Sequence, residues 1–280
     1  GRITLEELAA RGYDRDLAMG SLAGAGTLGI LIPPSIPMIV YGVLTGVSIL
    51  QLFIAGIIPG LLLAGSYMVY IGLRAILRRE ATLDGDQTYG WRDRMTGLVY
   101  LMPTVLLIAL VIGSMYAGFA GPSEAAAVGV LGAVIVSASE RSLTFGNVRD
   151  AALATVRTSS MIGLILAAAL FLSKALTFLG LPAKAATGIA GLGLGPYGLI
   201  GVLLVFYVIL GMFLDGLSII ALTLPITFPL VTGAGFDPVW FGIFIVIVIE
   251  MSTVTPPVGF NLFVVQSMTG ETVGRIARAS

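Results

Sequence analysis

Long apolar stretches separated by short polar loops dominate this chain and predict membrane-spanning helices. A helix needs about 20 apolar residues to cross a bilayer, and most of the stretches approach or exceed that length. They are too long and too evenly apolar for the strands of a β-barrel, which alternate over about ten residues. The predicted segments lie at 17–45, 50–77, 95–118, 122–139, 158–179, 199–214, 217–231 and 241–268.

Two of these segments are interrupted by adjacent prolines: "LGILIPPSIPMIVYG" at 28–42 and "MSTVTPPVGFNLFVV" at 251–265. Proline lacks a backbone N–H and breaks or kinks a helix. When the segments are threaded alternately through a bilayer, the first runs from inside to outside and the second from outside to inside. Paired interruptions in two inverted halves point to the binding site of a transporter. An ordinary proline kink in each helix is the alternative interpretation.

The interruptions predict a particular site chemistry. Unwound backbone survives at membrane depth only where protein or a water-filled cavity surrounds it. The freed carbonyls are oxygen ligands for a hard cation such as Na⁺, and the amino end of the half-helix after each break, with roughly half a positive charge, attracts a carboxylate. Hydroxyl and amide side chains flank the breaks at Ser35, Ser252, Thr253, Thr255 and Asn261.

The predicted segments 199–214 and 217–231 meet within the stretch "GMFLDGLSIIALTLP". Residues 196–232 therefore form either two full spans or, as we favour, a re-entrant hairpin hinged at Asp215 and Gly216. A carboxylate at membrane depth is a functional candidate. Asp215 is therefore predicted to bind a cation, to cap the returning helix, or both. Glu250 precedes the second break and is either functional or the partner of a nearby hydroxyl or backbone group.

Composition supports a membrane protein without enzymatic chemistry. The 280 residues are 57% hydrophobic and 11% charged, whereas a soluble domain needs about 25% charged residues. The absence of cysteine and histidine excludes disulfides and thiol catalysis and removes the commonest general base. We therefore predict no catalytic residues, no enzyme activity and no cofactor. A permease is the leading hypothesis, and an ion or proton channel is the main alternative. Two weaker alternatives are an intramembrane hydrolase with Asp215 and Glu250 as an acidic dyad and a purely structural membrane subunit.

The distribution of basic residues predicts the orientation. The threading places 13 of the 15 basic residues on one side, all except Lys174 and Lys184. Cytoplasmic loops are enriched in Lys and Arg, so this side is predicted to be cytoplasmic. The predicted location is the bacterial inner membrane, with several spans and cytoplasmic basic loops.

Five motifs follow one another along the chain: "GTLGILIPPSIPMIVYG", "LFIAGIIPGLLLA", "GPSEAAAVG", "GMFLDGLSIIALTLPITFPL" and "TPPVGFNLFVV". Together they make the chain resemble a known family, the large membrane subunit (DctM-like permease) of tripartite ATP-independent periplasmic (TRAP) transporters. The resemblance implies an all-α, multi-span bundle of the ion-transporter superfamily type, with a re-entrant hairpin, two broken helices in inverted repeat and an elevator motion. It implies Na⁺-driven import of small organic acids such as C4-dicarboxylates. It also implies two partners, a small membrane subunit and a periplasmic substrate-binding protein.

The resemblance further assigns roles to residues. One wall of a first cation site would be Gly29, Pro33 and Ser35. The second cation site would be formed by Asp215, Gly216, Thr253, Thr255 and Gly259. The substrate is expected at Pro34, Ser35, Pro256, Pro257 and Asn261.

The resemblance also suggests a division of the chain. Residues 1–77 would end the first repeat with a broken helix (17–45) and a span (50–77). Residues 78–157 would hold cytoplasmic loops and two scaffold spans. Residues 158–280 would form the second repeat, with a span (158–179), a hairpin (196–232) and a broken helix (239–269). A hairpin before residue 1 and a span after residue 280 are expected to be missing from this chain.

Overall fold

In residues 15–77, 90–191, 195–255 and 259–279, the ranges that the computed structural model describes, the chain forms twelve helices and no strand. In chain order they are α1 (Arg15–Leu31), α2 (Ile36–Thr45), α3 (Ile49–Leu77), α4 (Trp91–Tyr116), α5 (Pro122–Ser139), α6 (Phe145–Phe178), α7 (Leu181–Gly191), α8 (Pro196–Gly211), α9 (Gly216–Gly233), α10 (Pro238–Thr253), α11 (Phe260–Thr269) and α12 (Val273–Ala279). Six stretches within these ranges are long and apolar enough to cross a membrane, α1 and α2 counting as one. The predicted all-α membrane class is confirmed.

One predicted loop is wrong. The polar stretch 140–157 was expected to be a cytoplasmic loop, but α6 begins at Phe145 and runs for 34 residues. The hydroxyl of Thr144 accepts a hydrogen bond from the Asn147 N–H at 3.2 Å and so starts the helix. The alanine-rich stretch that follows consists mostly of strong helix formers. At about 51 Å, α6 is longer than the roughly 30 Å hydrocarbon core of a bilayer, so its polar first turns extend beyond it.

The chain divides into two compact units. The first takes its described residues from 15–77 and 165–279, and the second from 90–164. In the second unit, α4 and α5 pack closely where Gly129 and Gly132 of α5 face Val111 and Leu107 of α4. Glu124 lies in the first turn of α5, where a negative charge stabilises the helix dipole.

In the first unit, the two broken helices, α1–α2 and α10–α11, run antiparallel. Their contacts occur in reversed order along the two segments. From one end to the other, Met19 shares a buried cluster with Leu262, Thr27 lies opposite Glu250, and the Tyr41 hydroxyl donates to the Pro238 carbonyl at 2.6 Å. Residue numbers therefore rise along one broken helix as they fall along the other, which is the relation expected of an inverted repeat.

The helices α8 and α9 form a hairpin whose arms are joined by residues 212–215. The buried Tyr207 hydroxyl bonds to Thr223 at 2.9 Å and Thr227 at 2.8 Å, which ties the two arms together. The arms have 16 and 18 residues, about 24 and 27 Å of helix. The arm α9 is one of the six candidate membrane spans, whereas α8 is a shorter apolar helix. The hairpin packs against both broken helices, with α8 on α10 and α9 on α2.

Candidate functional site

The first break, between α1 and α2, frees main-chain oxygens. Because proline has no N–H, Pro33 and Pro37 cannot donate to the carbonyls of Gly29 and Pro33, which therefore lose their helical partner. The fully buried Ser35 hydroxyl donates to the Ile30 carbonyl, which Pro34 leaves free in the same way. A Cβ on Gly29 would meet no atom within 4 Å, so the backbone there faces open space. Of the three predicted cation ligands, Gly29 therefore lies in the last turn of α1, whereas Pro33 and Ser35 lie in the unwound residues 32–35.

The second break separates α10 from α11. Pro256 and Pro257, both predicted to bind the substrate, lie outside the described residues. Their missing N–H groups still deprive the carbonyls of Ser252 and Thr253 of helical donors. The Thr255 N–H bonds to the Ser252 carbonyl at 3.0 Å. Among the described residues, no hydrogen bond to the Thr253 carbonyl replaces the lost one, and this oxygen faces Gly259, where an added Cβ would stand 3.1 Å from it.

The hairpin turn rests on this second break. The Gly259 N–H donates to the Met212 carbonyl of the turn at 3.3 Å. Gly259 has a φ of +53°, in the left-handed region that favours glycine. Gly211 lies directly against the Ser252 side chain, and a Cβ on Gly216 would stand only 2.7 Å from Ile249. Glycines at the turn therefore allow it to pack closely against the end of α10 and against Gly259.

Asp215 caps α9. One carboxylate oxygen accepts from the N–H groups of Leu217 and Ser218 at 3.1 and 3.2 Å, and the other accepts from the Ser218 hydroxyl. The capping role, one of the two predicted for this residue, is present. A carboxylate offers about four acceptor positions, so three hydrogen bonds leave room for one more ligand.

The hydroxyl side chains around the second break share one arrangement. Each donates its hydrogen to a carbonyl of α10: Ser252 to Ile249 at 2.7 Å, Thr253 to Glu250 at 2.8 Å and Thr255 to Met251 at 2.8 Å. The lone pairs of each hydroxyl oxygen remain available, because only the hydrogen is used. Such oxygens can accept a hydrogen bond or coordinate a cation.

Glu250 and Asn261 converge on one turn of α1. Glu250 is 1% exposed, and neither of its carboxyl oxygens has a hydrogen-bond partner among the described residues. The buried Asn261 Nδ2 also lacks a partner there, and it stands 3.9 Å from where a Cβ on Gly26 would be. Thr27 lies opposite Glu250, but its hydroxyl donates to the Gly24 carbonyl at 2.8 Å. The structure therefore places Asn261 beside α1, next to Gly26.

The pair Thr27 and Glu250 could have been anticipated from spacing. Each stands six residues before the first proline of its break. Six residues correspond to about 9 Å of helix rise. In the antiparallel arrangement, each break therefore lies about 9 Å along its own helix from this contact, on opposite sides of it. The predicted cation ligands form two separate groups, and the predicted substrate residues are divided between them.

Comparisons with known proteins agree along the whole chain. The family model "Tripartite ATP-independent periplasmic transporter, DctM component" matches residues 1–280. The C4-dicarboxylate TRAP transporter large permease protein DctM of Pseudomonas aeruginosa is 34% identical over 285 residues, covering 100% of this chain and 65% of that protein. The isethionate TRAP transporter permease protein DctMQ of Oleidesulfovibrio alaskensis is 31% identical over 285 residues, covering 99% of this chain and 44% of that protein. The 2,3-diketo-L-gulonate TRAP transporter large permease protein YiaN of Escherichia coli is 30% identical over 260 residues, covering 91% of this chain and 60% of that protein.

This chain therefore spans from 44% to 65% of the length of these three relatives. The predicted family resemblance is confirmed, and the relatives it matches are named as transporter permeases, as the prediction of a protein other than an enzyme expects. With its apolar helices, its antiparallel broken segments and a family match over residues 1–280, the chain belongs to the DctM family, the large membrane permease component of TRAP transporters.

Proposed function

We propose that this chain forms the transport core of a Na⁺-coupled permease that imports small organic acids. The observation that carries the proposal is the convergence of the hairpin turn on the second break. There the Asp215 carboxylate, the Thr253 carbonyl and the Thr255 hydroxyl supply oxygen ligands, the type of ligand that hard cations prefer. The first break adds a second group of oxygens at Gly29 and Pro33.

The substrate group is proposed to be a carboxylate. The half-helices α2 and α11 begin directly after the breaks, and their first N–H groups have no helical acceptor. Such amino ends attract anions. Ser35, at the N-cap of α2, and Asn261, in the first turn of α11, are the side chains nearest to these ends. Two of the relatives are named for C4-dicarboxylate and 2,3-diketo-L-gulonate, which is the basis for extending this chemistry to the present chain.

The mechanism we infer couples the two kinds of site, because cation binding orders the residues that form the anion site. Na⁺ is coordinated by the oxygens of each break, and its binding orders the hairpin turn against α10. The ordered amino ends then complete the anion site, and substrate and ions cross together in an elevator motion without covalent chemistry. We further propose that the partners are a small membrane subunit and a periplasmic binding protein. The basic loops would face the cytoplasm of a bacterial cell.

The test uses the full-length permease, reconstituted in liposomes with its small subunit and binding protein. Candidate acids are scanned with and without an inward Na⁺ gradient, and saturable, Na⁺-dependent uptake is the expected result. Thr255→Val removes one oxygen and should abolish Na⁺-dependent uptake, whereas Thr255→Ser retains the oxygen and should keep it. Single-channel currents without saturable substrate flux would instead support a channel.

A further inference from the structure

An apolar groove of about 570 Å³ runs between α1 and α3. Its walls are formed by Leu17, Gly24 and Leu28 on α1 and by Ala64, Tyr67 and Ile71 on α3. Both walls belong to stretches that are apolar enough to span a membrane. The volume lies within the range of about 300–1,000 Å³ that is usual for ligand sites. The groove is therefore large enough for part of a lipid molecule.

A cationic pocket of about 530 Å³ adjoins the end of this groove, and Ala279 of α12 lines both. The pocket is lined by three arginines, Arg74, Arg275 and Arg278, and by one acid, Asp16. Its residues come from the start of α1, the end of α3 and the last helix, α12. The apolar groove therefore opens into a positively charged pocket, which forms its mouth.

The charge of Arg275 is compensated locally. Its guanidinium pairs with Asp16 at 2.9 Å and with Glu271 at 3.2 Å. Arg74 and Arg278, in contrast, pair with no carboxylate among the residues that the structure describes. Within the described part of the chain, two positive charges therefore remain without a paired carboxylate at the mouth of the groove.

Arg74 is tied to the apolar groove itself. Its Nη1 donates to the Tyr70 hydroxyl at 3.0 Å, and its guanidinium lies 6.0 Å from the centre of the Tyr70 ring. Tyr70 also lines the groove. The guanidinium is therefore held at the end of the apolar groove. A lipid with its acyl chain in the groove would place its phosphate there.

We propose that this composite site binds an anionic glycerophospholipid, with one acyl chain in the groove and the phosphate between Arg74 and Arg278. Basic pockets between membrane helices are suited to anionic headgroups. A soluble phosphate would use only the arginines, and a neutral lipid only the groove, whereas the adjoining pair of features matches a molecule with both parts. The arginines lie outside the breaks, although Val254 of the second break also lines the groove, and the proposal does not depend on the proposed Na⁺ coupling.

Native mass spectrometry of the delipidated full-length permease measures this binding directly. The wild type should retain phosphatidylglycerol more tightly than phosphatidylcholine of the same chain length. Replacing both Arg74 and Arg278 with glutamine should weaken phosphatidylglycerol binding by at least about tenfold, since each basic residue near a membrane surface contributes about fivefold. Phosphatidylcholine binding should not change. The matched control replaces Arg149 and Arg157, two exposed arginines of α6, with glutamine and should leave both affinities unchanged.

Further variants test the groove. Ala64→Phe should weaken both lipids, because it fills the space for the acyl chain. A photo-crosslinking residue at Ala64 should capture lipid in native membranes. Equal affinity for the two lipids, an unchanged arginine double variant, displacement by inorganic phosphate alone, or a crosslink to a protein segment would each overturn the proposal.

Discussion

Replacing Asp215 with asparagine separates the two roles of this side chain. Asparagine caps a helix about as well as aspartate does. The N–H groups of Leu217 and Ser218 would therefore keep a side-chain acceptor in Asp215→Asn, and α9 would keep its start. The negative charge, however, would be lost from the place where the hairpin turn meets the second break. Any effect on Na⁺ dependence then reports on the charge alone.

The size of the effect follows from the position of the carboxylate, which is half-buried. Two unit charges 4 Å apart attract each other by about 4 kcal/mol at an effective dielectric constant of 20. Dehydration of the ion and the carboxylate offsets part of that attraction. Hydrogen bonds to charged groups, which face the same balance, contribute about 1.5–3 kcal/mol. We expect the Na⁺ concentration for half-maximal uptake to rise roughly 10- to 150-fold, since 1.4 kcal/mol corresponds to a factor of ten.

The assay is uptake by the reconstituted full-length transporter at increasing Na⁺ concentration, together with thermal unfolding. Asp237→Asn is the matched control, because Asp237 is exposed and caps α10 through the Trp240 N–H at 2.9 Å. It should change neither measurement. Asp215→Ala should impair Na⁺-dependent uptake and also lower stability by about 0.5–2 kcal/mol, the usual cost of a lost cap. Normal Na⁺ dependence in Asp215→Asn, with reduced stability in Asp215→Ala, would show that Asp215 is only a cap.

Two further predictions concern the packing of the hairpin. Gly211→Ala should destabilise the protein by about 1–3 kcal/mol, because its methyl group would overlap the Ser252 side chain; adding Ser252→Gly should restore part of the loss, and no recovery would contradict the contact. Tyr207→Phe should cost about 1–2 kcal/mol in thermal unfolding, because it removes the hydroxyl that joins both arms. Tyr197→Phe, at an exposed position of the same helix, should have no effect, and equal behaviour of the two tyrosine variants would reject the interpretation.

The breaks and the hairpin could be predicted because their causes are local. The missing N–H groups of Pro33 and Pro34 act within their own segment whatever surrounds it. Asp215 followed by Gly216 marks a helix start in the same local way, and the structure begins α9 there. Covalent chemistry and capping thus located the unwound segments before any tertiary contact was known.

The features that the sequence did not reveal depend on helix capping outside the membrane and on how the helices pack against one another. Hydropathy reports on membrane insertion, so it assigned 140–157 to a loop, although Thr144 caps a helix that begins at Phe145. The meeting of Asn261 with α1 depends on how two helices are rotated about their axes, which proline spacing does not determine. The buried carboxylate of Glu250 is another result of that rotation, since its helix is apolar on nearly every side.

The symmetry of the two halves leads to a prediction for α1. When the halves are aligned on their prolines, Ile249 and Ser252 of α10 correspond to Gly26 and Gly29 of α1. In α10 these two positions receive the hairpin, whereas both glycines of α1 are exposed. We therefore expect α1 to receive an equivalent hairpin in the full-length protein at the same two positions.

Gly26→Ala tests this expectation. The nearest atom to the new Cβ within this chain is the Asn261 Nδ2 at 3.9 Å, an ordinary contact, so the chain itself would not resist the change. Alanine in place of glycine inside an exposed helix stabilises by up to about 1 kcal/mol. If a second hairpin is docked there, the full-length protein should instead lose about 1–3 kcal/mol through steric overlap. Gly201→Ala, at an exposed glycine of α8 with no atom within 4 Å, supplies the control and should be stabilising. A stabilising Gly26→Ala would mean that α1 receives no hairpin at this turn, because a docked helix would leave no room for the methyl group.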